Sequence, residues 1–183
     1  MTKEIDTAYP DFSLPANYEF VSYQKGMEKV WAFLQWKTGQ MESLAAAEQR
    51  FENEYLPSIK LAECNCWFVR DCLTNEIIGT ASLWRGDLFG TELDRVHWVA
   101  VHPAHNGRGI GKALLSKILK QAITEKIYLT TQTWSYPAIA MYRKFGFEAY
   151  LGREPVNWKS GDYSAAKQAG WEIIDAKLAD KGV

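Results

Sequence analysis

The stretch RVHWVAVHPAHNGRGIGKALL, residues 95–115, limits the fold more than any other part of the chain. Its first seven residues are rich in β-branched and aromatic types, which is typical of a central strand. Glycines then stand at positions 107, 109 and 111, and an apolar stripe over 113–123 predicts a helix packed on a sheet. A glycine turn between strand and helix leaves backbone N–H groups at the positive end of the helix dipole. The sequence therefore predicts a phosphate-binding loop.

Two nucleotide-binding motifs are excluded by single positions of this loop. A Walker A loop that ends in Gly111-Lys112 needs glycine at position 106 and a hydroxyl side chain at position 113, where Asn106 and Ala113 stand. A dinucleotide fingerprint that starts at Gly107 needs glycine where Lys112 stands. Glycine is still the residue that lets a backbone approach a phosphate closely. An ordinary tight turn stays open as the alternative.

The remaining periodicity predicts alternating strands and helices, an α/β fold class of the α+β type. Ser43, Ser135 and Asp162 are expected as helix N-caps, and Gly146 as a left-handed helix stop. The predicted strands are 18–23, 66–71, 77–84, 95–101, 127–131 and 147–151, and the predicted helices are 27–38, 43–56, 113–123, 135–145 and 162–178.

Composition predicts one globular domain over residues 1–183, because 47% hydrophobic residues fill a sizeable core. The net charge of -1 disfavours nucleic acid and anionic membranes as partners. No apolar run approaches the length of a membrane span, and the N-terminus lacks a signal-peptide pattern, so we expect a cytoplasmic protein. Cys64, Cys66 and Cys72 have no fourth ligand nearby, which predicts buried reduced thiols and no metal.

Two segments resemble the GNAT superfamily of N-acetyltransferases. NGRGIG, residues 106–111, is similar to the family signature Gln/Arg-x-x-Gly-x-Gly/Ala, with Asn in the first position. AIAMYRKFGF, residues 138–147, resembles the family segment Ala-x-x-Leu-Tyr-x-x-x-Gly-Phe. The resemblance covers a core of about 18–151 and implies a single-domain GNAT-like fold, with a mixed central sheet of six or seven strands flanked by helices. The extension 152–183 departs from it, because a helix is predicted where GNAT folds usually finish with a hairpin.

The resemblance implies that acetyl-CoA is the donor substrate. The N–H groups of the loop would hold its pyrophosphate, with positive charge from Arg108 and Lys112, whose side chains equally suit a solvated helix start. Backbone groups at 99–101 would bind the pantetheine arm, where the family's fourth strand splays from its neighbour. Ser135 stands where many members carry a cofactor-contacting Asn, and a plain helix cap stays open. The predicted cofactor-binding residues are Val99, Ala100, Val101, Asn106, Gly107, Arg108, Gly109, Ile110, Gly111, Lys112 and Ser135.

The resemblance also implies two catalytic residues. Tyr142 matches the family Tyr that protonates the departing thiolate, and a phenol is a competent donor to it. The Glu that some members use as general base is Thr130 here, so a different base is needed. His97 occupies the place of a His that relays the amine proton through water in the arylalkylamine branch. A structural role stays open for both residues, and Glu92 and Asp94 are the alternative bases.

The function that this resemblance implies is transfer of an acetyl group to a primary amine of a small molecule or peptide, by direct attack in a ternary complex. A non-catalytic acyl-CoA-binding module is the alternative, and a homodimer is left open. The family's acceptor cleft lies between the loop at about 37–42 and the C-terminal segment. The tryptophans suit an aromatic amine there and equally a core; they include Trp36, Trp84, Trp98, Trp134 and Trp158.

Overall fold

The computed structural model of the chain describes residues 1–6, 8–156, 158–159 and 161–180. The strands are β1 (Thr2–Glu4), β2 (Tyr18–Ser22), β3 (Cys66–Asp71), β4 (Ile77–Gly86), β5 (Leu93–Val101) and β6 (Lys126–Tyr128). The helices are α1 (Glu28–Lys37), α2 (Leu44–Glu54), α3 (Ile59–Asn65), α4 (Ile110–Leu119), α5 (Tyr136–Lys144) and α6 (Tyr163–Ala179).

The six strands form one mixed sheet in the order β1-β6-β5-β4-β3-β2. Pairing is antiparallel between β1 and β6, β2 and β3, and β3 and β4, whereas β5 and β6 run parallel. The predicted fold class and the six or seven strands are confirmed.

The chain groups into two compact units. The glycine-loop unit comprises Asp11–Trp84 and Val96–Ala122. The C-terminal unit comprises Met1–Pro10, Arg85–Arg95 and Ile123–Val183. The single domain over 1–183 stays a prediction.

An aromatic core fixes α1 and α2 in the glycine-loop unit. Trp31, Phe51, Tyr55 and Phe68 are fully buried. Phe51 stacks on Tyr55 with ring centroids 4.7 Å apart, and Trp31 meets Phe51 edge-on at 5.2 Å. Burial of each such ring contributes about 1.5–3 kcal/mol. The core therefore holds the last turn of α2, and with it Glu54, in a defined place.

Helix α4 follows the predicted apolar stripe, although it ends at Leu119, short of the predicted residue 123. Its fully or nearly fully buried residues are Ile110, Ala113, Leu114, Leu115, Ser116, Ile118 and Leu119.

The region after α2 differs from the prediction. Helix α2 ends at Glu54, before Pro57 as predicted, but Leu56–Ser58 form a 3-10 turn and are followed by α3, which was not predicted. Proline is compatible with a first helical turn, because its missing N–H has no intrahelical partner there.

The C-terminal unit contains the largest errors in the prediction. Residues 147–151 form no strand; Glu148 only bridges Thr2, through N–O distances of 3.0 and 2.8 Å. The partner strand β1 is only three residues long, which leaves little backbone for a longer ladder. The strand predicted at 127–131 is also shorter and ends at Tyr128. Strand β1 was not predicted, because nothing in its short polar sequence marks a strand.

Two helix ends of this unit confirm their predicted chemistry. Gly146 has a φ of 82°, the left-handed conformation expected of a helix stop. The Asp162 carboxylate accepts hydrogen bonds from the N–H groups of Ser164 (2.8 Å) and Ala165 (3.2 Å), which caps α6. Ser135 is the N-cap residue of α5 as predicted, but its side chain makes no capping hydrogen bond.

Candidate active site

The regular alternation of strand β5 breaks at Trp98. Its φ of 48° is a left-handed backbone conformation that residues other than Gly, Asn and Asp seldom adopt. The side chains of Val96 and His97, just before this break, are both buried. Two glutamine side chains hold the carbonyl groups at the break. Gln35 Nε2 donates to the Trp98 carbonyl oxygen, and Gln40 Nε2 donates to that of Val99, both at 3.1 Å.

Because of this break, two successive side chains of β5 reach one carboxylate on α2. The Glu54 Oε2 atom lies 2.8 Å from His97 Nε2 and 2.6 Å from Trp98 Nε1, whose indole N–H can only donate. We call Glu54, His97 and Trp98 the Glu54 cluster. It joins residues 43 positions apart in the chain and was not foreseen from the sequence.

The Glu54 carboxylate is held in its ionised form. Burial works to raise the pKa of Glu54, but the hydrogen bond and charge of His97, the Trp98 indole and the charge of Arg50 outweigh it and lower the pKa to about 2. Arg50 reaches the other oxygen, Oε1, at 3.1 Å. An ionised carboxylate only accepts hydrogen bonds, so His97 Nε2 carries a proton and donates it to Glu54.

Aromatic rings enclose the His97 imidazole, which is 4% exposed. The ring of Tyr55 stacks at 6.1 Å, that of Trp84 at 6.5 Å, and that of Trp98 is tilted at 5.2 Å. The Tyr55 hydroxyl is in turn 2.9 Å from Ser82 Oγ. The ring plane of His97 is therefore fixed by packing as well as by Glu54.

Asp94, one of the two alternative bases, has the surroundings of a structural residue. It is 1% exposed, and its Oδ2 accepts from the N–H groups of Ile123 (2.7 Å) and Thr124 (2.8 Å) and from the Thr124 hydroxyl (3.0 Å). Arg85 lies 3.4 Å from its other oxygen. Glu92 has a 70% exposed side chain at 3.9 Å from Arg85. Asp94 thus connects the start of β5 to the turn before β6, and Glu92 lies at the surface just before β5.

The glycine loop has the geometry that its sequence predicts. Gly107 and Gly109 have φ values of 78° and 82°, and Gly109 is the N-cap of α4. A Cβ atom built on either glycine meets nothing within 4 Å. The left-handed backbone, rather than crowding by the protein, therefore requires glycine, and the space beside the loop is open for a phosphate. The Ile110 side chain is buried, so only its backbone is available to a ligand.

The charged side chains of the loop contact neighbouring aromatic residues. Arg108 Nη1 donates to the Tyr18 hydroxyl at 2.8 Å, and that oxygen lies 3.1 Å from His105 Nδ1. The Lys112 ammonium lies 5.1 Å from the centre of the Phe12 ring. An anion at this loop would therefore bind mainly to the backbone N–H groups, with the cationic side chains of Arg108 and Lys112 beside them.

The two remaining predicted residues belong to the C-terminal unit. Tyr142 lies on α5 and is 8% exposed; burial raises its pKa to about 12. Its ring meets Phe147 edge-on at 6.0 Å. The Ser135 N–H donates to the Gln132 carbonyl oxygen at 2.9 Å. A phenol with a raised pKa stays protonated at neutral pH, as a proton donor must.

The tryptophans do not form one group. Trp84 belongs to the aromatic core, Trp98 to the Glu54 cluster, and Trp36 is 40% exposed on α1, where Phe33 lies 6.0 Å from it. Trp134 is 49% exposed in the C-terminal unit. The aromatic acceptor pocket therefore stays a prediction.

The cysteines are free thiols, and Cys66 is buried as expected. Cys64 and Cys72 are exposed, so the prediction that all three are buried is wrong. Among the described residues, no three His, Cys, Asp or Glu side chains come together as a metal site. No helix within the described parts of the chain is long and apolar enough to cross a membrane.

Comparison with known proteins identifies the family. The model of the acetyltransferase (GNAT) family matches residues 27–147, about two thirds of the chain. The chain belongs to the GNAT acetyltransferase family. The matched range contains α1, the Glu54 cluster, the glycine loop and Tyr142.

Curated relatives match short parts of this GNAT protein. The uncharacterized protein ML0378 of Mycobacterium leprae is 49% identical over 60 residues, which is 33% of this chain and 16% of that protein. The N-alpha-acetyltransferase RimI of Mycobacterium tuberculosis is 43% identical over 53 residues, 29% of this chain and 34% of RimI. The chain thus aligns with about a third or less of the length of these relatives.

A solved structure extends the likeness over most of the fold. Naa50 of Arabidopsis thaliana, in complex with the bisubstrate analogue CoA-Ac-MVNAL, superposes with a TM-score of 0.58 and 20% identity. The match covers 74% of this chain and 85% of Naa50. At this identity the likeness establishes the fold.

Proposed function

We propose that this GNAT protein is an acetyl-CoA-dependent N-acetyltransferase that acetylates a primary amine of a small molecule or peptide in a ternary complex. The observation that carries the proposal is the left-handed glycine pair at the start of α4, whose Cβ positions open onto free space. Backbone N–H groups at a helix N-terminus bind phosphate, and a pyrophosphate needs such close approach. Asn106–Lys112 thus fit the diphosphate of acetyl-CoA.

The proposed reaction needs one proton removed from the amine and one supplied to the departing thiolate. The amine nitrogen attacks the thioester carbonyl carbon, the carbon–sulfur bond breaks, and the amine loses one proton. His97 takes that proton through water, and Tyr142 gives its phenolic proton to the departing thiolate. Backbone groups of Val99–Val101 bind the pantetheine arm, beside the break in β5. His97 then releases its proton to solvent and Tyr142 regains one from solvent, which completes the cycle.

A peptide α-amine is the first acceptor to test. RimI is by name an N-alpha-acetyltransferase, and Naa50 was solved with an analogue that joins CoA to a peptide sequence. The exposed aromatic side chains Phe33 and Trp36 on α1 suit the apolar side chains of a peptide. We also propose that the protein works in the cytoplasm, since free thiols are typical of reducing compartments. The homodimer stays a prediction, which light scattering tests.

The test is release of free CoA thiol from acetyl-CoA across a panel of peptides and small amines. Turnover with at least one amine, with the acetyl group found on its nitrogen by mass spectrometry, supports the proposal. Binding of acetyl-CoA without turnover on any amine contradicts it and favours the acyl-CoA-binding module. Calorimetric titration with acetyl-CoA separates failure to bind from failure to react.

A further inference from the structure

The carboxylate of Glu54 receives two donors from consecutive residues of one strand. The distances are 2.8 Å to His97 Nε2 and 2.6 Å to Trp98 Nε1. The glutamate itself is the last residue of α2, between Phe51, three residues before it, and Tyr55, the next residue, whose buried rings stack on each other. The acceptor is thus anchored independently of the two donors.

The strand maintains this arrangement at an energetic cost. A left-handed conformation at a residue other than glycine costs about 1–3 kcal/mol, and Trp98 adopts one in the middle of β5. Without it, His97 and Trp98 would face opposite sides of the sheet. Gln35 holds the Trp98 carbonyl at 3.1 Å, and Trp31 packs edge-on against the Trp98 ring at 5.9 Å. Several neighbours therefore stabilise the strained backbone that brings both donors to Glu54.

The contact determines which tautomer of His97 exists in the neutral state. The ionised Glu54 carboxylate can only accept hydrogen bonds, so in the neutral imidazole of His97 the proton lies on Nε2 and the basic lone pair on Nδ1. Since the Trp98 indole donates to the same oxygen, Glu54 cannot rotate away without leaving a donor unsatisfied. The stacked rings of Tyr55 and Trp84 then keep the imidazole in one plane.

We propose that Glu54 is a positioning residue for His97: it selects the imidazole tautomer with the proton on Nε2 and orients Nδ1 for the amine proton, while Trp98 keeps Glu54 in place. The role of Glu54 in turnover rests on the proposed function, in which His97 relays that proton. The tautomer of His97 does not depend on it.

The first part of the test is spectroscopic. The chain has three histidines, so long-range proton–nitrogen spectra of protein labelled with ¹⁵N-histidine contain three imidazole patterns, and His97→Gln assigns one of them. In the wild type we expect the Nε2-protonated pattern for His97. In Glu54→Leu the side chain can no longer accept a hydrogen bond from His97 Nε2, so we expect loss of that single tautomer. An unchanged pattern for His97 in the variant overturns the proposal.

The second part measures turnover. Glu54→Leu is expected to lower kcat by about 10- to 100-fold, with the KM for acetyl-CoA unchanged within about twofold, because the loop does not involve Glu54. Trp98→Phe, which removes the indole donor and keeps a ring, is expected to have a smaller effect in the same direction. A changed tautomer with an unchanged kcat also overturns the positioning role, since the contact is then only structural.

Two variants serve as matched controls. Glu52→Gln removes an exposed carboxylate from the same helix, where it accepts a hydrogen bond from Gln49 at 3.3 Å. Arg50→Gln removes the partner of Glu54 Oε1 and leaves Oε2 untouched. Both are expected to keep the wild-type tautomer and kcat. If the wild type turns over no amine, the proposed function fails, while the spectra still decide the tautomer.

Discussion

The glycine loop and the Glu54 cluster are built from different parts of the polypeptide. The loop uses backbone N–H groups of one continuous stretch, Asn106–Lys112, and its key requirement is a left-handed backbone at two glycines. The cluster uses side chains from α2 and β5 that are 43 positions apart. One region is suited to hold a fixed anionic group, and the other to move a proton. Variants in the two regions should therefore separate affinity for acetyl-CoA from turnover.

The largest effect is expected from His97→Gln, which removes the basic nitrogen but keeps a polar side chain beside Glu54. A general base contributes about 10²- to 10⁴-fold to the rate, and kcat should fall by that factor. The dissociation constant for acetyl-CoA should stay the same. Steady-state thiol release and calorimetric titration measure the two quantities, and thermal unfolding checks the fold. Equal losses of affinity and turnover would break the separation between the regions.

Tyr142→Phe extends the comparison to the C-terminal unit. The buried phenol, with its pKa raised to about 12, is protonated at neutral pH, and phenylalanine keeps its packing against Phe147. We expect kcat to fall by about 100-fold or more with unchanged affinity for acetyl-CoA. Tyr136→Phe on the same helix is the control, because it also removes a phenol and keeps the ring over which the Lys177 ammonium lies at 5.6 Å. A variant as active as the wild type removes Tyr142 from the mechanism.

Gly109→Ala should produce the opposite pattern. The methyl group meets no protein atom within 4 Å, but it strains a φ of 82° and would stand where the proposed function places the phosphate. We expect the dissociation constant for acetyl-CoA to rise by about tenfold, with kcat at saturation nearly unchanged. Gly26→Ala, at a φ of 101° and also in open space, controls for backbone strain alone. Similar affinity losses in both variants would mean that the strain, not the phosphate, explains the effect.

The smallest effect concerns stability at low pH. The folded-state pKa of Glu54, about 2, lies below the ordinary 4.5, so its contribution is complete above about pH 4.5 and is lost as the pH falls toward 2. Glu54→Gln lacks this dependence. Between about pH 7 and pH 3, the wild type should lose about 1 kcal/mol relative to the variant, allowing for partial exposure. Urea unfolding at both values measures it, and a constant difference contradicts an ionised Glu54.

The same contrast explains how much the sequence could predict. The glycine loop, the stripe of α4 and the Asp162 cap depend on neighbours in the chain, and their patterns are visible in it. Strand β1 forms only because β6 lies beside it, and 147–151 fails as a strand because its partner is too short.

The Glu54 cluster depends on one backbone angle. Nothing in RVHWVAV marks the left-handed turn at Trp98, and nothing in α2 distinguishes Glu54 from the exposed Glu52. His97 was predicted as a candidate from the family resemblance, but its carboxylate partner required the folded chain.

The most direct test of the account is a titration of ¹⁵N-labelled protein with acetyl-CoA, followed by backbone amide spectra. We expect the amides of 107–112 to show the largest chemical-shift changes, since their N–H groups are proposed to bind the pyrophosphate. Those same amides should respond in Glu54→Gln with equal affinity, because the cluster acts on turnover. Saturable binding that leaves the amides of 107–112 unmoved would contradict the account.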